Sequence, residues 1–299
     1  MSSPSAPILN YPVVRNWDFG AIRHRFAARD AILYALGVGY GSDPEDARQT
    51  RFVYEQGLAA APTMPVALGS PGPWWTDPRT GVEYGMNLHG EQDLVLCGPV
   101  PAEGEIVARN RVCAVHDRGL GRGALAALER EIVDAASGHV LAIAKRIEVL
   151  RGAGGFSAVH GAGDDRPASL PPFEPSTSAP DMAVDLACSP QAHLIYRLSG
   201  DPNPLHVDHS AARAAGYARP ILHGLATFGM AGHAVLRALC AYEPTRLQRL
   251  AARFSAPVFP GDTLRFAFWR TGGGAARFVA HALERKVQAL DRGLVEHRE

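Results

Sequence analysis

Residues 196–225 read YRLSGDPNPLHVDHSAARAAGYARPILHGL, and this stretch decides how the rest of the chain is read. Asp201, Asn203 and His206 are packed into DPNPLH, and His223-Gly224 stands directly before a long apolar segment. Pro202 and Pro204 each lack a backbone N–H and fix φ, so a regular helix across DPNPLH is disfavoured. A stiff, extended loop is expected instead. An Asp and a His held five residues apart on such a loop can point at one water, and acid–base chemistry needs that reach. Asp and Asn beside Pro are also ordinary turn residues, because their side chains bond nearby backbone. His206, Gly200 before Asp201 and the apolar YRL before that shift the balance toward chemistry.

From Leu225 to Tyr242 the chain reads LATFGMAGHAVLRALCAY, apolar nearly all round, the mark of a buried helix. Gly224 then falls at the helix N-terminus. Free N–H groups and the helix dipole favour negative charge there. Its backbone N–H is thus a candidate donor to a developing oxyanion, and glycine lets a substrate approach the backbone closely.

Short helices are expected at residues 29–36, 191–198 and 209–215. Strands are expected at 94–97, 104–116, 123–134, 140–150, 249–257, 263–270, 275–283 and 287–290. Residues 52–62 leave strand and helix open. Residues 62–78 carry Pro62, Pro65, Pro71, Pro73, Pro78, Gly69 and Gly72, so no long helix runs through them. Residues 151–180, rich in Gly, Ala, Ser and Pro, read as a linker between a first half (1–150) and a second (181–299). The halves echo one another. Tyr34-Ala-Leu-Gly37 parallels Tyr196-Arg-Leu-Ser-Gly200, and the Pro99–Gly104 region parallels Pro257–Asp262. The internal repeat predicts the same unit twice. Composition alone predicts only an α+β chain. After Gly37 come Val38-Gly39-Tyr40, without the Asp, Asn or His, so only the second half is expected to react.

Y-x-L-S-G-D-x-N-P-L-H followed by P-I-L-H-G-L resembles the signature of the MaoC-like family, and more closely its hydratase 2 branch, the (R)-specific 2-enoyl-CoA hydratases. RGAGGF, from Arg151, is similar to the same family, and the resemblance runs from about Tyr11 to Phe266. It implies a double hot dog fold, in which a helix lies across a curved antiparallel sheet in each half. It implies reversible hydration of trans-2-enoyl-CoA to (3R)-3-hydroxyacyl-CoA. Asp201 and His206 would do the acid–base work on a water, Asn203 would orient the pair, and Gly224 would meet the thioester oxygen. Substrate contacts would fall on His89, Gly90, Arg122, Pro202, Pro204, Leu205 and Phe254. The family usually has Lys where this chain has Arg122, and the two cations differ in geometry. Read without the resemblance, His89 is a surface strand residue, Arg122 a solvated turn residue and Phe254 a core residue. His223 reads as a brace for the loop and His233 as a core residue. Trp74 and Trp75 either line a pocket or cap a core. On the repeat, the helix missing from residues 62–78 would leave room under the first sheet for the acyl tail, beside Met64, Val66, Leu68, Trp74 and Trp75.

The 299 residues are 46% hydrophobic, with 30 Lys+Arg against 30 Asp+Glu. Zero net charge gives no bulk attraction to nucleic acid or a membrane surface. No stretch has the length of a membrane helix. Cys97, Cys113, Cys188 and Cys240 lie far apart, without C-x-x-C, and no cluster has metal-ligand spacing. Neither a metal nor a separate cofactor is expected, coenzyme A being part of the substrate. The N-terminus lacks a secretory signal and the chain ends Glu-His-Arg-Glu rather than S-K-L, so a cytoplasmic location is expected. A homodimer is the expected assembly by resemblance. Alternative activities are dehydration of 3-hydroxyacyl thioesters on an acyl carrier protein, thioester hydrolysis, or non-catalytic acyl-thioester binding.

Overall fold

The structure is a computed structural model and describes residues 8–83, 85, 87–161, 165–175 and 178–299. Ten strands among the described residues form one sheet. They are β1 (Ala21–Phe26), β2 (Asn87–Leu96), β3 (Gly104–Asp117), β4 (Ala124–Asp134), β5 (Val140–Leu150), β6 (Met182–Ala187), β7 (Leu247–Phe254), β8 (Thr263–Gly272), β9 (Ala275–Ala282) and β10 (Val287–His297). Their order across the sheet is β1-β3-β4-β5-β2-β7-β10-β9-β8-β6, and the recorded pairings are antiparallel. Read outward from the centre, each half has the same order, so β1 through β5 correspond to β6 through β10. The halves meet where β2 pairs with β7, Leu94 opposite Leu250, both fully buried. This is the α+β, doubled hot dog arrangement that the repeat implies.

The second half wraps the helix Gly224–Ala238, in which every residue from Ala226 to Leu236 is buried. An all-apolar helix needs cover on every side. β6 and β7 supply part of it, and the first half supplies the rest at two glycines. A Cβ on Gly229 would sit 2.4 Å from Val38 Cγ1, and one on Gly232 would sit 2.4 Å from Thr63 Cγ2. Only a residue without a side chain lets the two halves close here. In the first half the helix Ala28–Gly37 packs on Ala192–Tyr196. The repeat-related Tyr34 and Tyr196 come together with ring centroids 5.7 Å apart.

Where the first half lacks its long helix, residues 62–80 make three short 3-10 turns, Met64–Val66, Trp74–Thr76 and Pro78–Thr80. The apolar groups expected there divide between two clusters. Met64, Val66 and Leu68 belong to the main core. Trp74 and Trp75 join a second cluster with Leu9, Val14, Val115 and Phe156, and the Trp75 indole N–H donates to Glu148 at 2.5 Å. Residues 52–62, open between strand and helix, form turns and irregular chain. The segment expected as a linker is partly tied down, with Leu170 N–H donating to Glu91 at 2.9 Å and Arg292 donating to Leu170 O at 2.9 Å.

Several boundaries need correction. β10 runs on to His297 rather than stopping at Leu290. β2 begins at Asn87 rather than Leu94, which places His89 and Gly90 inside it. The edge strands β1 and β6 were not expected.

Candidate active site

The helix Ala192–Tyr196 tightens into a 3-10 turn, Arg197–Ser199, and ends at Gly200 with φ 107, a left-handed conformation open chiefly to glycine. The chain then reverses into Asp201-Pro202-Asn203. Asn203 links the two reactive candidates. Its backbone N–H donates to Asp201 Oδ1 at 3.2 Å, and its own Oδ1 accepts from Leu205 N–H at 3.0 Å. That second bond caps the turn Pro204–His206. Pro202 and Pro204 are exposed and Leu205 is half-buried.

His206 is buried at 7% exposure. Its Nδ1 lies 2.9 Å from the carbonyl of Ile221. A carbonyl only accepts, so Nδ1 carries the proton and Nε2 the free lone pair. Burial pushes the pKa of His206 down, against the bond to Ile221 and the nearby Asp201, which pull it up. A neutral imidazole with a free Nε2 is the form a general base requires.

His223 stacks on His206 with ring centroids 3.7 Å apart and planes at 27°. Its Nε2 lies 3.1 Å from the carbonyl of Asp201, so here Nε2 is the donor. Burial, then the neighbouring His206, pushes its pKa down to about 2. The brace expected of His223 is therefore visible, and so is its anchor. The helix begins one residue later. Its first internal bonds run from Ala226 and Thr227 N–H to His223 O, which leaves the amides of Gly224 and Leu225 ahead of the helical ladder.

Phe254 and His89 complete the wall. A Cβ on Gly224 would sit 3.5 Å from Phe254 Cε1, and the Phe254 ring meets the His89 ring edge-on at 4.9 Å. Pairing of β2 with β7 brings these two together. His89 donates through Nε2 to Glu91 O at 3.1 Å, across the register shift that contains Gly90. It keeps partial exposure although desolvation, then Arg146, pushes its pKa down to about 3. Arg122 is not brought to this cluster. It is exposed on the turn between β3 and β4, its backbone N–H bonded to Gly119 O at 3.0 Å. Tyr196, to which the sequence assigned no role, is buried with its ring 5.0 Å from His223.

Asp201, His206 and His223 each offer a ligand atom, all within 4.8 Å of one another. One nitrogen of each imidazole is already committed to a backbone carbonyl, which leaves a single nitrogen on each ring.

Two family models match, the MaoC like domain over residues 174–291 and the MFE-2 hydratase 2 N-terminal domain over residues 24–152. A curated relative from Mycobacterium tuberculosis, named 3-hydroxyacyl-thioester dehydratase Y, is 38% identical over 90% of this chain and 92% of its own. The chain belongs to the MaoC-like family. A curated relative from Dictyostelium discoideum, named probable enoyl-CoA hydratase 2, is 34% identical over 86% of both chains. Among solved structures, a MaoC-like dehydratase from Phytophthora capsici superposes with a TM-score of 0.83 at 28% identity, covering 97% of this chain and 99% of that one. A Mycobacterium tuberculosis protein described as a double hot dog fold covers 93% of this chain and 94% of its own with a TM-score of 0.57 at 15% identity, a likeness of fold.

Proposed function

We propose that this MaoC-like protein reversibly hydrates trans-2-enoyl-CoA to (3R)-3-hydroxyacyl-CoA, with Asp201 and His206 activating the water. The observation that carries this reading is the free Nε2 of a neutral His206 beside Asp201, next to the helix start at Gly224. As water adds to C3, one proton passes to the pair and the thioester oxygen gains negative charge. The Gly224 amide, at the positive end of the helix, meets that charge. The pair then delivers a proton to C2, so the net change is one water added. No metal or cofactor enters any step. The thioester would lie along His89 and Phe254, beside Gly224, and Pro202, Pro204 and Leu205 would border it. Arg122, away from the cluster on its exposed turn, fits the outer, anionic part of the carrier rather than the reacting atoms.

The reverse reaction, dehydration of a 3-hydroxyacyl thioester, uses the same groups, and the relative named for that activity favours keeping it beside hydration. Crotonyl-CoA and the corresponding acyl carrier protein thioester, assayed in parallel by loss of enoyl absorbance, separate the carriers. Release of free thiol in that assay would instead show a thioesterase, and tight binding without turnover a non-catalytic acyl-thioester binder. The acyl tail would run into the first half along Met64, Val66 and Leu68. Four free cysteines favour a reducing compartment such as the cytoplasm, although a relative from Arabidopsis thaliana is named as peroxisomal. No helix among the described residues is long and apolar enough to cross a membrane. A homodimer of double units is the assembly we favour, and sedimentation showing only monomer would reject it.

A further inference from the structure

We propose that His223 is a positioning residue of the hydration site, one half of a reciprocal brace that keeps the Nε2 lone pair of His206 turned toward the water. The proposal rests on the hydratase reading above. His206 stands on the DPNPLH loop and donates to Ile221 O on the segment leading into the long helix. His223 stands on that segment and donates back to Asp201 O on the loop. Each ring thus bonds the backbone that carries the other. The bonds compel opposite neutral tautomers, Nδ1–H at His206 and Nε2–H at His223.

The stacking at 3.7 Å makes the two rings one unit. If His206 flipped about χ2, Cδ2 and Cε1 would take the places of Nδ1 and Nε2, so the bond to Ile221 O and the lone pair facing the water would both be lost. His223 itself stays neutral for a geometric reason. Its Nδ1 is buried with no hydrogen-bond partner among the described residues, so a second proton would be a buried, unpaired donor. The ring also directly precedes Gly224, so the base, the Asp201 backbone and the oxyanion amide share one anchor. Tyr196, with its centroid 5.0 Å away, confines His223 from another side. Misplacement by about 1 Å at such a site costs on the order of a hundredfold in rate, which is the effect the brace prevents.

Two measurements test this. Long-range 15N–1H correlation spectra of the full chain near neutral pH report each histidine tautomer without any substitution. Nδ1–H at His206 and Nε2–H at His223 are expected; the same tautomer at both, or an imidazolium at His223, overturns the brace. The second compares His223→Phe, which keeps a ring but no donor, with His223→Gln, which keeps a donor but no ring. We expect kcat of the Phe variant to fall by about tenfold or more with KM within about threefold, and Gln to recover part of the loss. A kcat within about twofold of wild type in both, a rise in KM alone, or equal losses that track a lowered Tm would each overturn the proposal. Asp201→Asn, assayed alongside, judges the hydratase reading separately. If it kept its turnover that reading would fall, while the tautomers would still report on the brace.

Discussion

His206 and His223 lie face to face with ring centroids 3.7 Å apart, and each gives its one N–H to a carbonyl in the segment that carries the other. Two buried imidazoles in this contact are stable together only when neutral, because a proton on either would be desolvated. This relationship ties the acid–base chemistry of the site to the stability of the fold around it.

The first prediction is the resulting pH dependence of stability. Burial holds several histidines below the ordinary value of 6.5, among them His206, His223 at about 2, His89 at about 3 and His233 at about 4. The unfolded chain binds these protons as pH falls through 6.5, and the folded chain does not. Their contribution is therefore full above 6.5 and is lost as pH falls below it. A single such group removes at most about 1.4 kcal/mol per pH unit inside its window, so stability should fall as the pH drops below 6.5. Urea unfolding at several pH values from about 7.5 to about 5 reads the slope, and a flat profile contradicts it. Where the fold survives, the acid limb of kcat/KM should lie below 6.5, since His206 keeps its lone pair there.

His206→Ala should reduce turnover by at least about a hundredfold, the usual worth of a positioned acid–base group. Far-UV circular dichroism should stay unchanged. Asn203→Ala should lose less, because it removes the turn cap from Leu205 N–H but leaves the backbone bond from Asn203 N–H to Asp201. If the order of the two losses were reversed, the loop geometry and not His206 would be the reacting element.

Gly224→Pro removes the proposed oxyanion donor. Gly224 is the first residue of its helix, where proline is well tolerated. His223, at φ -58 and ψ 138, already has the extended backbone that a following proline requires. The variant should therefore fold, and its kcat should drop by about a hundredfold to a thousandfold, or about 3–4 kcal/mol. A folded Gly224→Pro protein with wild-type turnover would exclude this amide.

Much of this was legible in the sequence. β5 was read to its bounds, and the long helix to within one residue at its start, because Ala226–Leu236 is apolar on every face. β1 (AIRHRF) and β6 were missed because an edge strand pairs on one side only, and the alternation of β1 is diluted by Arg23, His24 and Arg25. β10 seemed to end early because its register shifts around Arg292, which has φ 52. Asp201, His206 and Gly224 stood out because local proline and glycine constrain them. The Ile221 partner of His206 lies fifteen residues away, and nothing local encodes it. The separation of Arg122 from the cluster is likewise set by the path of the hairpin between β3 and β4.

The proposed path of the acyl tail can be told from simple packing by comparing residues of the two apolar clusters. Trp75 is 3% exposed and its N–H is bonded to Glu148. Trp75→Ala should cost about 3–5 kcal/mol, lower Tm, and reduce activity alike on short and long enoyl-CoA substrates. Leu68, equally buried in the main core, should also lose about 2–5 kcal/mol as Leu68→Ala, but on the proposed tail side it should in addition shift the preference among chain lengths. A changed chain-length preference in Trp75→Ala, with Tm intact, would move the tail to the tryptophans.

The central claim is tested most directly by Asp201→Asn, which keeps the size of the side chain and removes its charge and basicity. Wild-type and variant protein are incubated with crotonyl-CoA, the loss of enoyl absorbance is followed, and the product is resolved by chirality. The account predicts (3R)-3-hydroxybutyryl-CoA from the wild type and turnover reduced by about a hundredfold or more in a folded Asp201→Asn protein. A (3S) product, or a variant that keeps most of its turnover, would contradict it.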